Sequence, residues 1–156
     1  MKFNKLPVEA LLKSKGLKYD LINLSRAAYT VDDVIKYSNG GVISEEICKT
    51  IILKGKKSKK GYAMLLRGGD KLDFTKISAA LGEKLTIASP DEVKESAGIV
   101  PGAVCPFLLN VPLFVDKKVL ELKKANFGSG DHLFGLNVFI NDLDKAVEYS
   151  AGDFLV

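Results

Sequence analysis

Three short stretches hold residues whose types and spacing suit chemistry. The first is Lys49, set between Cys48 and the apolar run Ile51-Ile52-Leu53. An ammonium entering an apolar strand either reaches water along its own stem or meets an anion, because an unpaired buried charge is costly. The second stretch runs from Gly98 to Pro106, with glycines at 98 and 102 and prolines at 101 and 106. Prolines fix the backbone and glycines let a ligand approach it, so this is either a tight connection or a wall presenting amides and carbonyls in set directions. The third, Gly128-Ser129-Gly130-Asp131-His132, carries the chain's single histidine. Such a turn is either plain turn chemistry or a nest of amides for an anion.

Residue counts remove several other chemistries. One histidine and two separated cysteines, Cys48 and Cys105, do not fill a usual His/Cys zinc site and form no CxxC redox pair. No metal and no cofactor are expected. The nucleophile elbow GxSxG is absent, as are the nucleotide motifs GxGxxG and GxxxxGK[ST]. Cys105 with His132 stays open as a thiol nucleophile pair, although Cys105 between Val104 and Pro106 reads as a small buried residue.

The elements that must position these stretches follow from periodicity and caps. Val8, Leu11, Leu12 and Leu17 predict a first helix from Pro7 to Gly16, and Tyr19 to Leu24 alternates as a strand. Thr30 before Val31-Asp32-Asp33 caps a second helix ending near Asn39-Gly40-Gly41. Ser44-Glu45-Glu46 starts a brief turn leading into a strand over Cys48 to Leu53. The lysine-rich turn Lys54 to Gly61 and a strand over Tyr62 to Leu66 complete a hairpin. Asp70 to Leu81 is a helix closed by Gly82, and Leu85 to Ala88 a short strand. Ser89-Pro90-Asp91-Glu92 combines a hydroxyl cap, a first-turn proline and two acids, and its helix stops at Gly98. Val111 to Asp116 is a strand, Glu121 to Asn126 a polar stretch, and Leu133 to Ile140 a strand. Asp142 then caps a last helix containing Leu143, Ala146 and Val147.

Strands and helices mixed along 156 residues without repeats or linkers predict one α+β domain spanning 1–156. The hydrophobic content of 47% with 27% charged residues excludes disorder, and no run of about 20 apolar residues marks a membrane span. Met1 to Lys18 lacks the continuous apolar stretch of a secretory signal, so a cytoplasmic, soluble protein without a membrane partner is expected. The net charge of +4 favours an anionic partner without defining one. Lys54, Lys56, Lys57, Lys59 and Lys60 at the hairpin are either a solvated turn or a surface that attracts nucleic acid.

In order and distance these stretches resemble the YbaK family and the related editing domain of prolyl-tRNA synthetases. The likeness runs from the first helix to about Leu143. Cys48-Lys49-Thr50-Ile51-Ile52-Leu53 is similar to the family's lysine-threonine strand opening. Gly98 followed by Gly102-Ala103-Val104-Cys105-Pro106 is similar to its GxxxP loop, Ser129-Gly130 precedes the last core strand, and Thr30-Val31-Asp32-Asp33 resembles a Thr-Val-Glu-Glu segment. The resemblance implies an α+β fold around a curved, mostly mixed sheet with surrounding helices. It implies hydrolysis of the ester between an amino acid and the terminal adenosine of tRNA, in a free-standing enzyme that clears a small amino acid such as alanine, serine or cysteine. The partner is then mischarged tRNA, including tRNA for proline, with prolyl-tRNA synthetase a further candidate partner.

By the same resemblance Lys49 holds the substrate end through a phosphate or ribose oxygen. The backbone from Gly102 through Ala103 to Pro106 shapes the amino-acid pocket and positions water. Thr30, Thr50, Gly98, Ser129, Gly130 and His132 belong to the same cleft, and Asp131-His132 departs from the small or basic residues many members carry after the Ser-Gly pair, although some editing domains use a histidine nearby. An aminoacyl ester is already activated, so oriented water and donors to a developing oxyanion suffice without a side-chain nucleophile. The alternative function is a non-catalytic module that binds tRNA or a synthetase. Oligomeric state is not encoded in any of these features.

Overall fold

The computed structural model describes residues 6–156; the start of the N-terminal segment read above, residues 1–5, lies outside the described residues. The chain runs α1 (Pro7–Ser14), β1 (Tyr19–Asn23), α2 (Val31–Tyr37), β2 (Cys48–Gly55), β3 (Gly61–Arg67), α3 (Phe74–Leu81), β4 (Leu85–Ile87) and α4 (Pro90–Ala97). It continues with β5 (Leu113–Asp116), β6 (Lys124–Gly128), β7 (Phe134–Phe139), α5 (Leu143–Ala146) and β8 (Ser150–Gly152). This is an α+β fold.

The strands form two sheets. One is antiparallel in the order β1-β7-β6; the other is mixed, in the order β4-β2-β3-β5-β8, with β3-β5 and β5-β8 parallel. Among the described residues a single parallel bridge, Ile47 to Asn126, joins them. β2 is the hinge of the arrangement. It pairs with β3 along its whole length from Cys48↔Arg67 to Lys54↔Gly61, but with β4 only at Leu53 to Gly55. Between the Asn126 bridge and the Ala88 amide that donates to Ile52 O, the β2 edge opposite β3 carries no strand.

Two cores explain why β2 and β3 are so apolar. Ile52, Ala63 and Leu65 enter the larger core with Val115, Phe127 and Leu136, while Leu53 and Met64 point the other way to Ile77, Leu85 and Phe154. A strand buried on both faces reads as a continuous apolar run because either side of the pleat is covered. The local signals also hold for α4. Ser89 Oγ accepts from Glu92 N, and Glu92 Oε1 in return accepts from Ser89 N.

Several expectations need correction. The stretch around Glu121 to Asn126 contains a strand, β6, because Lys124 to Gly128 pairs with Phe139 to Gly135 of β7. The β2 strand continues through Lys54 to Gly55, so the lysine-rich turn is shorter than its composition suggests. The helix expected from Asp70 begins at Phe74, since Asp73 caps it by accepting from Thr75 N and Lys76 N. Asp142 makes no side-chain cap on α5; it pairs with Lys145, and Val147 lies beyond the helix. Among the described residues, no helix is long and apolar enough to cross a membrane.

Candidate active site

The gap along β2 opens into a cavity of about 330 Å³. Six consecutive residues, Ile47 to Ile52, line it. In a buried strand only alternate residues would face one cavity, so a continuous run means that the uncovered edge itself forms the wall. Lys49 and Thr50 both stand there. Among the described residues no carboxylate pairs with Lys49, whereas Lys54, further along the same strand, is paired with Glu92.

The opposite wall is the loop Pro101 to Val104, and it is held by main chain on several sides. Gly102 takes φ +113°, and a Cβ there would lie 2.6 Å from Tyr29 Cα, so only glycine allows this approach. Gly128 lies equally close beneath the loop, since a Cβ on it would meet Val104 O at 2.2 Å. Gly130 N donates to Ala103 O at 2.9 Å, and His132 Nε2 lies 3.1 Å from Pro101 O. The loop is therefore fixed while its own amides are spared. No described carbonyl or side chain accepts from the N–H of Gly102, Ala103 or Val104. The three residues line the cavity, so their unpaired N–H groups are candidate donors for a developing oxyanion.

The mouth and floor come from three further segments. Thr30 lines the cavity and caps α2, its Oγ1 accepting from Asp33 N at 3.1 Å. Tyr29, 57% exposed, stacks on His132 with ring centroids 4.4 Å apart. Asn126 and Gly135 reach the cavity from β6 and β7.

Lys49, Gly102, Thr30, Thr50, Ala103 and His132 thus meet at one cavity. Gly98, Pro106, Ser129 and Gly130 are not among its lining residues. Gly98 is the left-handed cap of α4, and Pro106 is buried next to Cys105. Ser129, 0% exposed, reaches the carbonyls of Phe134 and Asp131 with its hydroxyl and accepts from Asp131 N, so it locks the turn from within. Lys56, Lys57, Lys59 and Lys60 are exposed at the β2-β3 turn. Along β2 the cavity lining ends at Ile52 and the strand at Gly55, so roughly 10 Å of strand separates this turn from the cavity.

The sequence reading missed Asn126 and Tyr29. A lone amide between Ala125 and Phe127 was a usable signal, but only once that segment is known to be a strand. Burial pushes the Cys105 thiol up to about 12, and Cys105 is not part of the cavity wall. A protonated, enclosed thiol is a poor nucleophile.

A two-sheet α+β fold in which a lysine and a glycine-bearing loop line one cavity defines a small domain with a candidate ligand site. The chain belongs to the aminoacyl-tRNA editing domain family, whose model matches residues 25–146. Its structure is similar to the crystal structure of hypothetical protein APE2540, with TM-score 0.85 and 28% identity over 96% of this chain and 99% of that one. It is also similar to "a putative trans-editing enzyme for prolyl tRNA synthetase", with TM-score 0.80 and 23% identity over 96% of this chain and 94% of that one. The second likeness is one of fold.

Proposed function

We propose that this protein is a free-standing deacylase that hydrolyses the ester joining a wrongly attached small amino acid to the terminal adenosine of a tRNA. The observation that carries the reading is the convergence of Lys49, the open β2 edge and the Gly102–Val104 loop on one cavity of about 330 Å³. Lys49 serves as a point charge for a phosphate or ribose oxygen. The loop amides receive the charge that develops on the ester carbonyl oxygen as water attacks, and the tetrahedral intermediate collapses to the free amino acid as the C–O bond to ribose breaks and the ribose oxygen takes up the proton that the attacking water gives up. The rigid loop sets that geometry before the substrate arrives, which is how positioning replaces a covalent nucleophile. Alanine, serine and cysteine are the acyl groups this reading favours, on tRNA for proline among others. Membership of an editing family supports it, as does the exposed lysine turn, whose charge suits a nucleic-acid partner.

The test is a deacylation panel of tRNAs charged with each small amino acid. Turnover above buffer on at least one of them is expected. A folded protein that binds tRNA yet turns over none of the esters would instead favour a non-catalytic binding module.

A further inference from the structure

Asn126 lines the cavity but has no task in the mechanism above. It is 2% exposed, between the core residues Ala125 and Phe127. Its side chain lies over Gly135, where a Cβ would come within 2.9 Å of the amide nitrogen, so that glycine makes the room the amide occupies. Nδ2 donates across the β6-β7 pair to Asn137 Oδ1 at 2.9 Å, which holds the amide in one orientation. Among the described residues every side-chain nitrogen or oxygen sealed from solvent has a hydrogen-bond partner. Oδ1 of Asn126 accepts from no described group, so it is not sealed, and the opening that this buried residue reaches is the cavity.

A neutral acceptor in a mostly apolar wall selects its donor. An α-ammonium carries a full charge that an amide carbonyl does not balance, and the acidic residue of the cavity lining is Asp131, whose Oδ1 accepts from Leu133 N. A hydroxyl is a compact neutral donor that an amide oxygen satisfies completely. A methyl in the same place would strip Oδ1 of water and return nothing.

We propose that Asn126 is a specificity-determining residue whose Oδ1 accepts a hydrogen bond from the side-chain hydroxyl of the acyl group, so that the site prefers a seryl over an alanyl ester. The inference rests on the deacylase reading. One tRNA charged in turn with serine and alanine tests it, through kcat/KM for wild type and Asn126→Ala. Wild type should favour the seryl ester about tenfold, the worth of one well-made hydrogen bond, and the ratio should fall close to one in the variant. Binding of seryl and alanyl amides of 3′-amino-adenosine to wild type gives a second reading that does not depend on the variant folding. Tighter binding of the seryl amide supports the inference. Equal turnover of the two esters by wild type, equal binding of the two amides, or an unchanged ratio in Asn126→Ala would overturn it while leaving deacylation standing. Failure to turn over any ester would remove both.

Discussion

The two ends of β2 make a controlled comparison inside one strand. At its far end Lys54 stands where β4 completes the sheet, and its ammonium is taken by Glu92 of α4. At its near end Lys49 stands where β4 has stopped and where, among the described residues, β6 forms a bridge only at Ile47, and no described carboxylate meets it. The residue type is the same and the local sequence is similarly apolar. What differs is which neighbouring element covers the edge, so the unpaired state of the cation at position 49 is a property of topology and not of lysine.

The sharpest way to break the comparison is to remove each cation in turn. Lys49→Ala should lower kcat/KM for deacylation by about two orders of magnitude, the usual cost of losing one preorganised electrostatic contact in a reacting site, with thermal unfolding little changed. Lys54→Ala should keep most of the activity. Equal activity in the two variants would show that the open edge is not where the ester binds.

The loop facing Lys49 offers the next largest effect. Gly102→Ala forces a Cβ against Tyr29 at φ +113° and should cost about 1–3 kcal/mol. That lowers Tm by roughly 3–10 °C, and turnover falls further as the amides shift. Gly82→Ala is the matched control. It is strained by a comparable φ of +77° at the end of α3, but has open space around it and no place on the cavity wall. Its Tm should drop without selective loss of turnover, so parallel losses of activity in both variants would reduce the loop to a matter of stability.

Much of this was legible in the sequence, and what was not has a common cause. Caps and periodicities are local, so Thr30, the Ser89-Pro90-Asp91-Glu92 start and the apolar β2 and β3 runs announce their elements directly. The three stretches around Lys49, Gly102 and His132 were legible as candidates for the same reason, and the cavity contains residues of all three. The strand state of Lys124–Gly128 depends on β7, and that of Ser150–Gly152 on the parallel edge of β5, pairings with no local signature. The division into two sheets, and hence the gap that makes position 49 special, is likewise nonlocal. Within each motif, sequence also cannot separate a residue that lines a cavity from one that supports the lining. Ser129 and Gly130 illustrate this: one is bonded wholly to its own turn, and the other holds the loop through Ala103 O.

The lysines at the β2-β3 turn should matter less per residue, and chiefly through salt. Lys56, Lys57, Lys59 and Lys60 are exposed, and no described carboxylate pairs with them. Replacing all four by alanine should weaken tRNA binding by about tenfold at moderate salt. The slope of log affinity against log salt should fall by on the order of 3, since each phosphate contact contributes about 0.7 to 0.9. An unchanged slope would mean that the turn is merely solvated.

The smallest effect concerns the pair that makes Lys54 ordinary. Hydrogen bonding to Lys54, reinforced by the Ser89 amide and hydroxyl, holds the Glu92 carboxyl down at about 2 from an ordinary 4.5. A carboxyl depressed in the folded state contributes stability that is fully present above the ordinary value and is lost as the pH falls toward the depressed one. Wild type should therefore lose Tm more steeply than Glu92→Gln between about pH 4.5 and pH 2, while glutamine keeps the capping arrangement at the third helical position. At neutral pH wild type should be the more stable of the two by a modest margin, because both partners are partly exposed and the pair is screened, and the two should converge toward pH 2. Parallel acid profiles would mean that α4 is pinned to β2 by its cap and by Val93 alone, and that the charge of Lys54 is as unclaimed as that of Lys49.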